Sequence, residues 1–167
     1  MDKLDNAIVL ARVLDKFADG VQPLGEPHGL LTISTDPAHI IAVLQFLKTD
    51  EQLRFNYLTD ITAVHYPNQE LAFAVVYHLH NLFQNLRIRI KVFVRADNPI
   101  VPTATTVWKG ANWMERETFD FYGIQFEGHP DLRRILNVED MDVFPMRKEY
   151  PLEDPNRVDK KDFYFGR

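Results

Sequence analysis

Leu71-Ala72-Phe73-Ala74-Val75-Val76-Tyr77-His78-Leu79 and Leu86-Arg87-Ile88-Arg89-Ile90-Lys91-Val92-Phe93-Val94 are the two stretches that decide the fold class. In the first, the odd positions are Leu, Phe, Val, Tyr and Leu. A strand puts these on one face, because successive side chains point to opposite sides. In the second, Leu86, Ile88, Ile90, Val92 and Val94 point one way, and Arg87, Arg89 and Lys91 the other, with Arg95 just beyond. Two alternating segments joined by a short polar loop predict an antiparallel hairpin with one buried face. His78 and His80 fall on the opposite face of the first strand.

The pattern extends in both directions. Upstream, residues 55–64 are rich in aromatic and β-branched types and precede the turn Pro67-Asn68-Gln69, which predicts a third strand of the same group. Before it, Thr35-Asp36-Pro37 offers a capping side chain followed by proline, whose missing N–H costs nothing in a first helical turn. A helix over 37–48 follows, burying Ile40, Ile41, Leu44 and Leu47. Residues 21–24 and 30–34 read as short strands around Gly25-Glu26-Pro27-His28-Gly29. Residues 2–18 read as a helix with Leu4, Ala7, Ile8, Ala11 and Leu14 on one side and Gly20 as its stop.

Downstream, residues 98–106 form a connector with Pro99 and Pro102, and 111–122 a third helix capped by Gly123. Beyond Leu136 the periodicity ends, and Pro145, Pro151 and Pro155 interrupt the chain. The order predicts an α+β two-layer domain over residues 1–136, followed by an extended C-terminal arm over 137–167. Phe163, Tyr164 and Phe165 near the end of the arm suggest an anchor on a partner.

Composition narrows the function. With 46% apolar and 26% charged residues, the chain can build a real core. The net charge of −5 argues against a general nucleic-acid binder, which needs a basic footprint for phosphates. There is no cysteine, hence no disulfide, no thiolate nucleophile and no ordinary iron–sulfur ligand. The longest apolar run, Leu71 to Tyr77, is far short of the roughly 20 residues that span a bilayer. The N-terminus alternates charge and lacks the basic start and apolar run of a signal peptide. Neither GxGxxG nor GxxxxGK[ST] occurs, so the chain offers no phosphate-cradling loop for a nucleotide. Membrane association is therefore expected only through partners.

Trp113-Met114-Glu115-Arg116-Glu117-Thr118-Phe119-Asp120-Phe121-Tyr122-Gly123 is the unusual stretch. On a helical wheel Trp113, Met114 and Phe121 form one apolar arc with Glu117 inside it. Phe119 and Tyr122 bracket Glu115 on a second side. Arg116 and Asp120 share the one plainly polar edge, spaced as an i,i+4 pair. A carboxylate embedded among apolar groups needs a partner or a proton. Arg133, Arg134, Arg147 and Lys148 are the candidate partners, arginine being favoured for its bidentate fork. The favoured reading is buried ion pairs that orient the helix. Contact across an interface and proton-relay chemistry are the alternatives.

Other polar clusters are weaker. His78 and His80, with His65 if the strands align, could ligate a metal, but no acidic residue is near in sequence. His129-Pro130-Asp131 reads as a hydrogen-bonded turn before it reads as an acid/base pair. A stand-alone hydrolase using Glu115, Glu117 and His129 would lack any nucleophile motif. The stripe Arg87, Arg89, Lys91 and Arg95 reads as a solvated strand face or as a contact for an acidic partner.

Residues 115–136, Glu115-Arg116-Glu117-Thr118-Phe119-Asp120-Phe121-Tyr122-Gly123-Ile124-Gln125-Phe126-Glu127-Gly128-His129-Pro130-Asp131-Leu132-Arg133-Arg134-Ile135-Leu136, resemble the signature of the C-subunit family of NADH:quinone oxidoreductase, respiratory complex I. Asn112-Trp113, Tyr57 to Val64 and Phe144 to Leu152 extend the resemblance, although the family more often has Leu and Asp at the positions of Met146 and Glu149. The resemblance implies a mixed sheet of roughly five strands packed by helices. It implies a cofactor-free structural subunit of the peripheral arm, packed against the large quinone-site (D) subunit. FMN, iron–sulfur clusters and quinone would reside in partner subunits of this proton-pumping enzyme. The chain would be a peripheral membrane protein on the cytoplasmic side of the inner (cell) membrane, in the separate form rather than fused to the quinone-site subunit. Trp113, Glu115, Arg116, Glu117, Asp120, His129, Arg133, Arg134, Arg147 and Lys148 would be structural or interface residues, with none catalytic. The alternative within the superfamily is the equivalent subunit of a membrane-bound hydrogenase or formate hydrogenlyase.

Overall fold

A computed structural model of the chain describes residues 3–150. The aromatic triplet at 163–165 and the rest of the arm beyond Tyr150 lie outside the described residues.

The two deciding stretches form β4 (Phe73–Asn81) and β5 (Leu86–Val94). They pair antiparallel, with Phe73 opposite Val94, Val75 opposite Val92, Tyr77 opposite Ile90 and Leu79 opposite Ile88. The in-phase alternation therefore puts both apolar sets on one face, and all eight side chains are buried. A one-residue slip would move both sets to the wrong side. Asn81 fixes the turn. Its side-chain oxygen accepts the N–H groups of Phe83 and Gln84, and its amide donates to Leu53 O.

The sheet is completed by β1 (Val21–Pro23), β2 (Leu31–Thr35) and β3 (Tyr57–His65), in the order β1-β2-β5-β4-β3. All neighbours are antiparallel except β2 and β5, which run parallel, so the sheet is mixed. A parallel pair needs a long crossover. Here the crossover contains α2 (Ile40–Thr49), β3 and β4. With α1 (Asn6–Phe17) and α3 (Ala111–Tyr122), α2 packs on the apolar face. This is the expected two-layer α+β arrangement.

Three local expectations need correction. Helix α1 buries Val9 and Val13, with Leu10 and Phe17 partly covered, whereas Ala7, Ile8 and Ala11 face solvent. The segment carries two apolar stripes, and the sheet covers the one with the β-branched pair at i,i+4. Helix α2 begins at Ile40, not Pro37. Thr35 belongs to β2 and donates its hydroxyl to Gly20 O, while Asp36 closes a separate turn by accepting the His39 N–H. Residues 98–106, expected as a plain connector, contain β6 (Ile100–Pro102), which pairs parallel with β7 (Gln125–Glu127), directly after α3. Strands of three residues are too short to show an alternation. Residues 137–150 contain neither helix nor strand.

Candidate functional site: the α3 clamp

Helix α3 ends as its sequence predicts. Gly123 takes φ +74° and returns its N–H to Phe119 O at 2.8 Å. The charged residues of the helix, however, sort differently from the wheel reading.

Glu115 is fully buried, yet no arginine among the described residues reaches it. Its Oε2 accepts the Thr103 hydroxyl at 2.6 Å and its Oε1 the Ala104 N–H at 2.6 Å. The carboxylate thus caps the 3₁₀ turn Ala104–Thr106 that follows β6. Burial pushes its pKa up from 4.5 to about 7, and the two hydrogen bonds offset only part of this. The nearest basic ring is that of His129, 3.9 Å away and itself buried. That ring is already engaged: Nδ1 accepts the Asp131 N–H at 3.0 Å, so Nε2 carries the proton toward Asn112 O at 3.1 Å. An imidazole bonded this way is neutral. The expected hydrogen-bonded turn at 129–131 is present. The Tyr77 hydroxyl, buried in the same region, has no hydrogen-bond partner among the described residues, and burial followed by the Glu115 charge raises its pKa well above 10.0.

Arg116 and Asp120, read as a polar edge spaced as an i,i+4 pair, are both buried, and they do not pair with each other. Arg116 donates from Nε to Arg133 O (3.1 Å) and from Nη2 to Arg134 O (2.9 Å). Its guanidinium lies against Trp113, 5.4 Å from the ring centroid. Asp120 accepts the backbone N–H groups of Ile135, Leu136 and Asn137 at 2.8–3.1 Å and Arg134 Nη1 at 2.8 Å. Burial alone would raise its pKa; the three N–H groups and Arg134 override this and hold it far below 3.8. Arg134 also donates to Asp120 O, Met141 O and Val143 O. So Arg134 is a carboxylate partner as expected, but for Asp120 rather than for a glutamate.

The remaining members lie further out. Arg147 donates to Tyr122 O at 2.7 Å, and its guanidinium sits between the Phe73 and Phe144 rings. The Lys148 side chain is exposed, while its backbone N–H is held by His65 Nδ1 at 2.9 Å. Arg133 is exposed and pairs with Asp131 at 2.9 Å. Trp113 is 61% exposed, not part of a buried arc. Glu117 is exposed as well, and lines a cleft of about 390 Å³ with Asp60, Thr118, Tyr122 and Met146. His65 lies on the sheet face opposite His78 and His80, stacked on Phe73, so the three histidines do not converge. Among the described residues no group of three or more His, Asp or Glu is placed to hold a metal, and no helix is long and apolar enough to cross a membrane.

Sequence reasoning missed Thr103, the Ala104 N–H, Tyr77 and Asn137. Thr103 did carry a signal: followed by Ala104-Thr105, it accepts the Thr105 N–H, the habit of a threonine opening a turn. What the clamp can do is mechanical. It ties α3 to β6 through Glu115, and to residues 133–147 through Arg116, Asp120 and Arg134.

Comparison with known proteins agrees with the signature reading. The profile of the family described as "Respiratory-chain NADH dehydrogenase, 30 Kd subunit" matches residues 33–156. A protein of Roseiflexus sp. (strain RS-1) named as the C subunit of NADH-quinone oxidoreductase is 46% identical over 89% of this chain and 86% of its own length. Its namesake in Geotalea uraniireducens (strain Rf4) is 40% identical over 93% and 94%. Among solved structures, the trypsin-resistant fragment (1-134) of Nqo5 superposes with a TM-score of 0.64 at 34% identity, covering 74% of this chain and 98% of the fragment. A chain of the membrane-bound sulfane sulfur reductase, an archaeal respiratory membrane complex, shares the fold with a TM-score of 0.74 at 23% identity, over 94% of this chain.

Proposed function

Because this chain belongs to the family of the 30 kDa subunit of respiratory-chain NADH dehydrogenase, we propose that it is the structural C subunit of the peripheral arm of a proton-pumping NADH:quinone oxidoreductase. It packs against the large quinone-site (D) subunit, on the cytoplasmic side of the membrane. FMN, iron–sulfur clusters and quinone sit in partner subunits, a reading supported by the lack of any cysteine thiolate in this chain.

The observation that carries the proposal is the α3 clamp. Its buried charges are committed to this chain's own backbone: Glu115 to 104, Arg116 to 133 and 134, Asp120 to 135–137. Such groups hold a surface in shape, so the contribution to electron transfer is positional. Glu115, Arg116, Asp120, His129, Arg134 and Arg147 are the positioning residues. Trp113, Glu117, Arg133 and Lys148, with exposed side chains, supply contacts to neighbouring subunits. The domain of residues 1–136 carries the arm of 137–167, whose first stretch, through 147, is docked on the domain by Arg134 and Arg147.

The test is recovery of the tagged chain from detergent-solubilised membranes, with its partners identified by mass spectrometry. Flavin- and cluster-bearing NADH dehydrogenase subunits, together with the quinone-site subunit, are the expected company. Nickel–iron hydrogenase subunits would move the chain to the sister assembly, and a chain recovered alone would overturn the proposal.

A further inference from the structure

The face of the sheet opposite the helices holds a second feature that the clamp does not explain. Register places Arg87, Arg89 and Lys91 of β5 side by side with His80, His78 and Val76 of β4. Across β2, Arg89 and Lys91 are flanked by Thr32 and Ser34. Arg87 is exposed, whereas Arg89 and Lys91 are half-buried. Between the long side chains the floor is small and tightly covered: Ala74, Val76, Thr32 and Ser34 are all buried.

The charge here is unbalanced. Arg95, next in the basic stripe, is neutralised by Glu70 at 2.8 Å and Asp97 at 3.1 Å. Among the described residues, no carboxylate lies within ion-pair distance of Arg87, Arg89 or Lys91. Asp60 on β3 is the one acid that the register places on this face, and it lies 3.7 Å from His78 rather than beside a cation. Arg89 is also oriented. Its Nε donates to His78 Nε2 at 2.9 Å, which leaves both Nη groups with no protein acceptor among the described residues. A half-buried guanidinium held in place by a ring nitrogen has lost water without gaining a counter-charge. A groove of about 560 Å³ runs past it, lined by His28, Gly29, Asn85, Arg87 and Arg89, with no acid in its lining.

We infer that this face docks an acidic segment of a neighbouring subunit, with Arg87, Arg89 and Lys91 as the recognition row. The inference rests on the chain's place in a multi-subunit complex and adds the chemistry of one of its contacts. Alternate residues of a strand stand about 6.6 Å apart. Carboxylates spaced i,i+4 on a helix, about 6 Å apart, match that repeat. A protein partner fits better than an anionic lipid surface or a nucleic acid. The chain as a whole carries −5, so only a partner that touches this face locally sees a positive surface. The aromatics of this face are Phe93, half-buried beside Tyr66, and Tyr57 on the edge strand β3; neither stands between Arg87, Arg89 and Lys91 as the stacking platforms of a single-strand binder would.

A photoreactive residue placed at Gln22, or at Thr62, both on this face, tests the inference in the assembled complex. The expected cross-link maps to a net-negative segment of another subunit. A cross-link into lipid or into a neutral or basic segment overturns it, as does no cross-link from a chain that co-purifies with its partners. Arg87→Glu with Lys91→Glu should lower the recovered complex about tenfold at equal chain abundance, with Arg87→Lys close to wild type. Assembly of the double variant at the wild-type level also overturns the inference, and the cross-link decides if the double variant fails to accumulate. A wild-type chain recovered with no other subunit defeats the assignment to the complex, and this inference with it.

Discussion

Glu115 and Asp120 sit on one helix, both fully buried, and they ionise in opposite senses. Asp120 collects three backbone N–H groups and a guanidinium, so it stays charged. Glu115 has one N–H and one hydroxyl, so it holds a proton up to about pH 7. Its folded pKa is raised, so its contribution to stability is complete below 4.5 and is lost as pH rises to about 7. Glu115→Gln mimics the protonated form and should remove that dependence. The stability difference between variant and wild type should grow in the variant's favour from pH 4.5 to 7, reaching about 3 kcal/mol, then level off. Denaturant unfolding over pH 4–8 checks it, and a flat difference would refute the assignment. The difference must be read rather than the wild-type curve, because His65 and His78 are held low chiefly by burial and contribute with the opposite sign. Asp120→Ala leaves Arg134 buried without its carboxylate and should cost about 3–5 kcal/mol by thermal or denaturant unfolding. That these carboxylates matter was legible in the sequence; their partners were not. The wheel treats Arg116 and Asp120 as a polar edge, because it cannot know that residues 133–137 return to cover that edge.

At the scale of elements, alternation was a sufficient guide wherever a strand was long. The nine residues of β4 and of β5 each present their apolar set to the helices, as their spacing requires. Helix α1 was harder, since two apolar stripes compete and only the sheet chooses between them. The third helix has a readable end, and its glycine does more than cap. A Cβ at Gly123 would stand 2.5 Å from the Phe144 ring and 2.7 Å from Arg147 Nη2. The left-handed turn and the docking of residues 144–147 therefore occupy the same point. Gly123→Ala should cost at least about 1–2 kcal/mol for the backbone alone and lower Tm by about 4 °C or more. It should also loosen Arg147 from Phe73, which hydrogen exchange at the Met146 and Lys148 amides would detect. Unchanged exchange there would mean that the 144–147 segment docks without help from the helix end.

For the molecule as a whole, the question is where the folded unit stops. Loss of periodicity after Leu136 suggested a boundary there, but periodicity reports only elements that pack through apolar side chains. Residues 133–147 pack through polar ones: Arg116 holds the Arg133 and Arg134 carbonyls, and Asp120 the next three amides. A protease must draw the chain into an extended form around the cut bond, so cleavage reports local opening. Arg133 offers trypsin an exposed side chain, yet its carbonyl is tied down. Limited trypsin should therefore spare the bonds after Arg133 and Arg134 in the wild-type chain. In Asp120→Ala, with the amide clamp gone and Arg134 released, fragments ending at Arg133 or Arg134 should appear early. Intact-mass spectra of a digestion time course read both outcomes directly. Equal early cleavage in both proteins would place the end of the folded unit before Arg133. It would then reduce the Asp120 clamp to a contact that opens freely in solution, and the arm would begin at the end of β7.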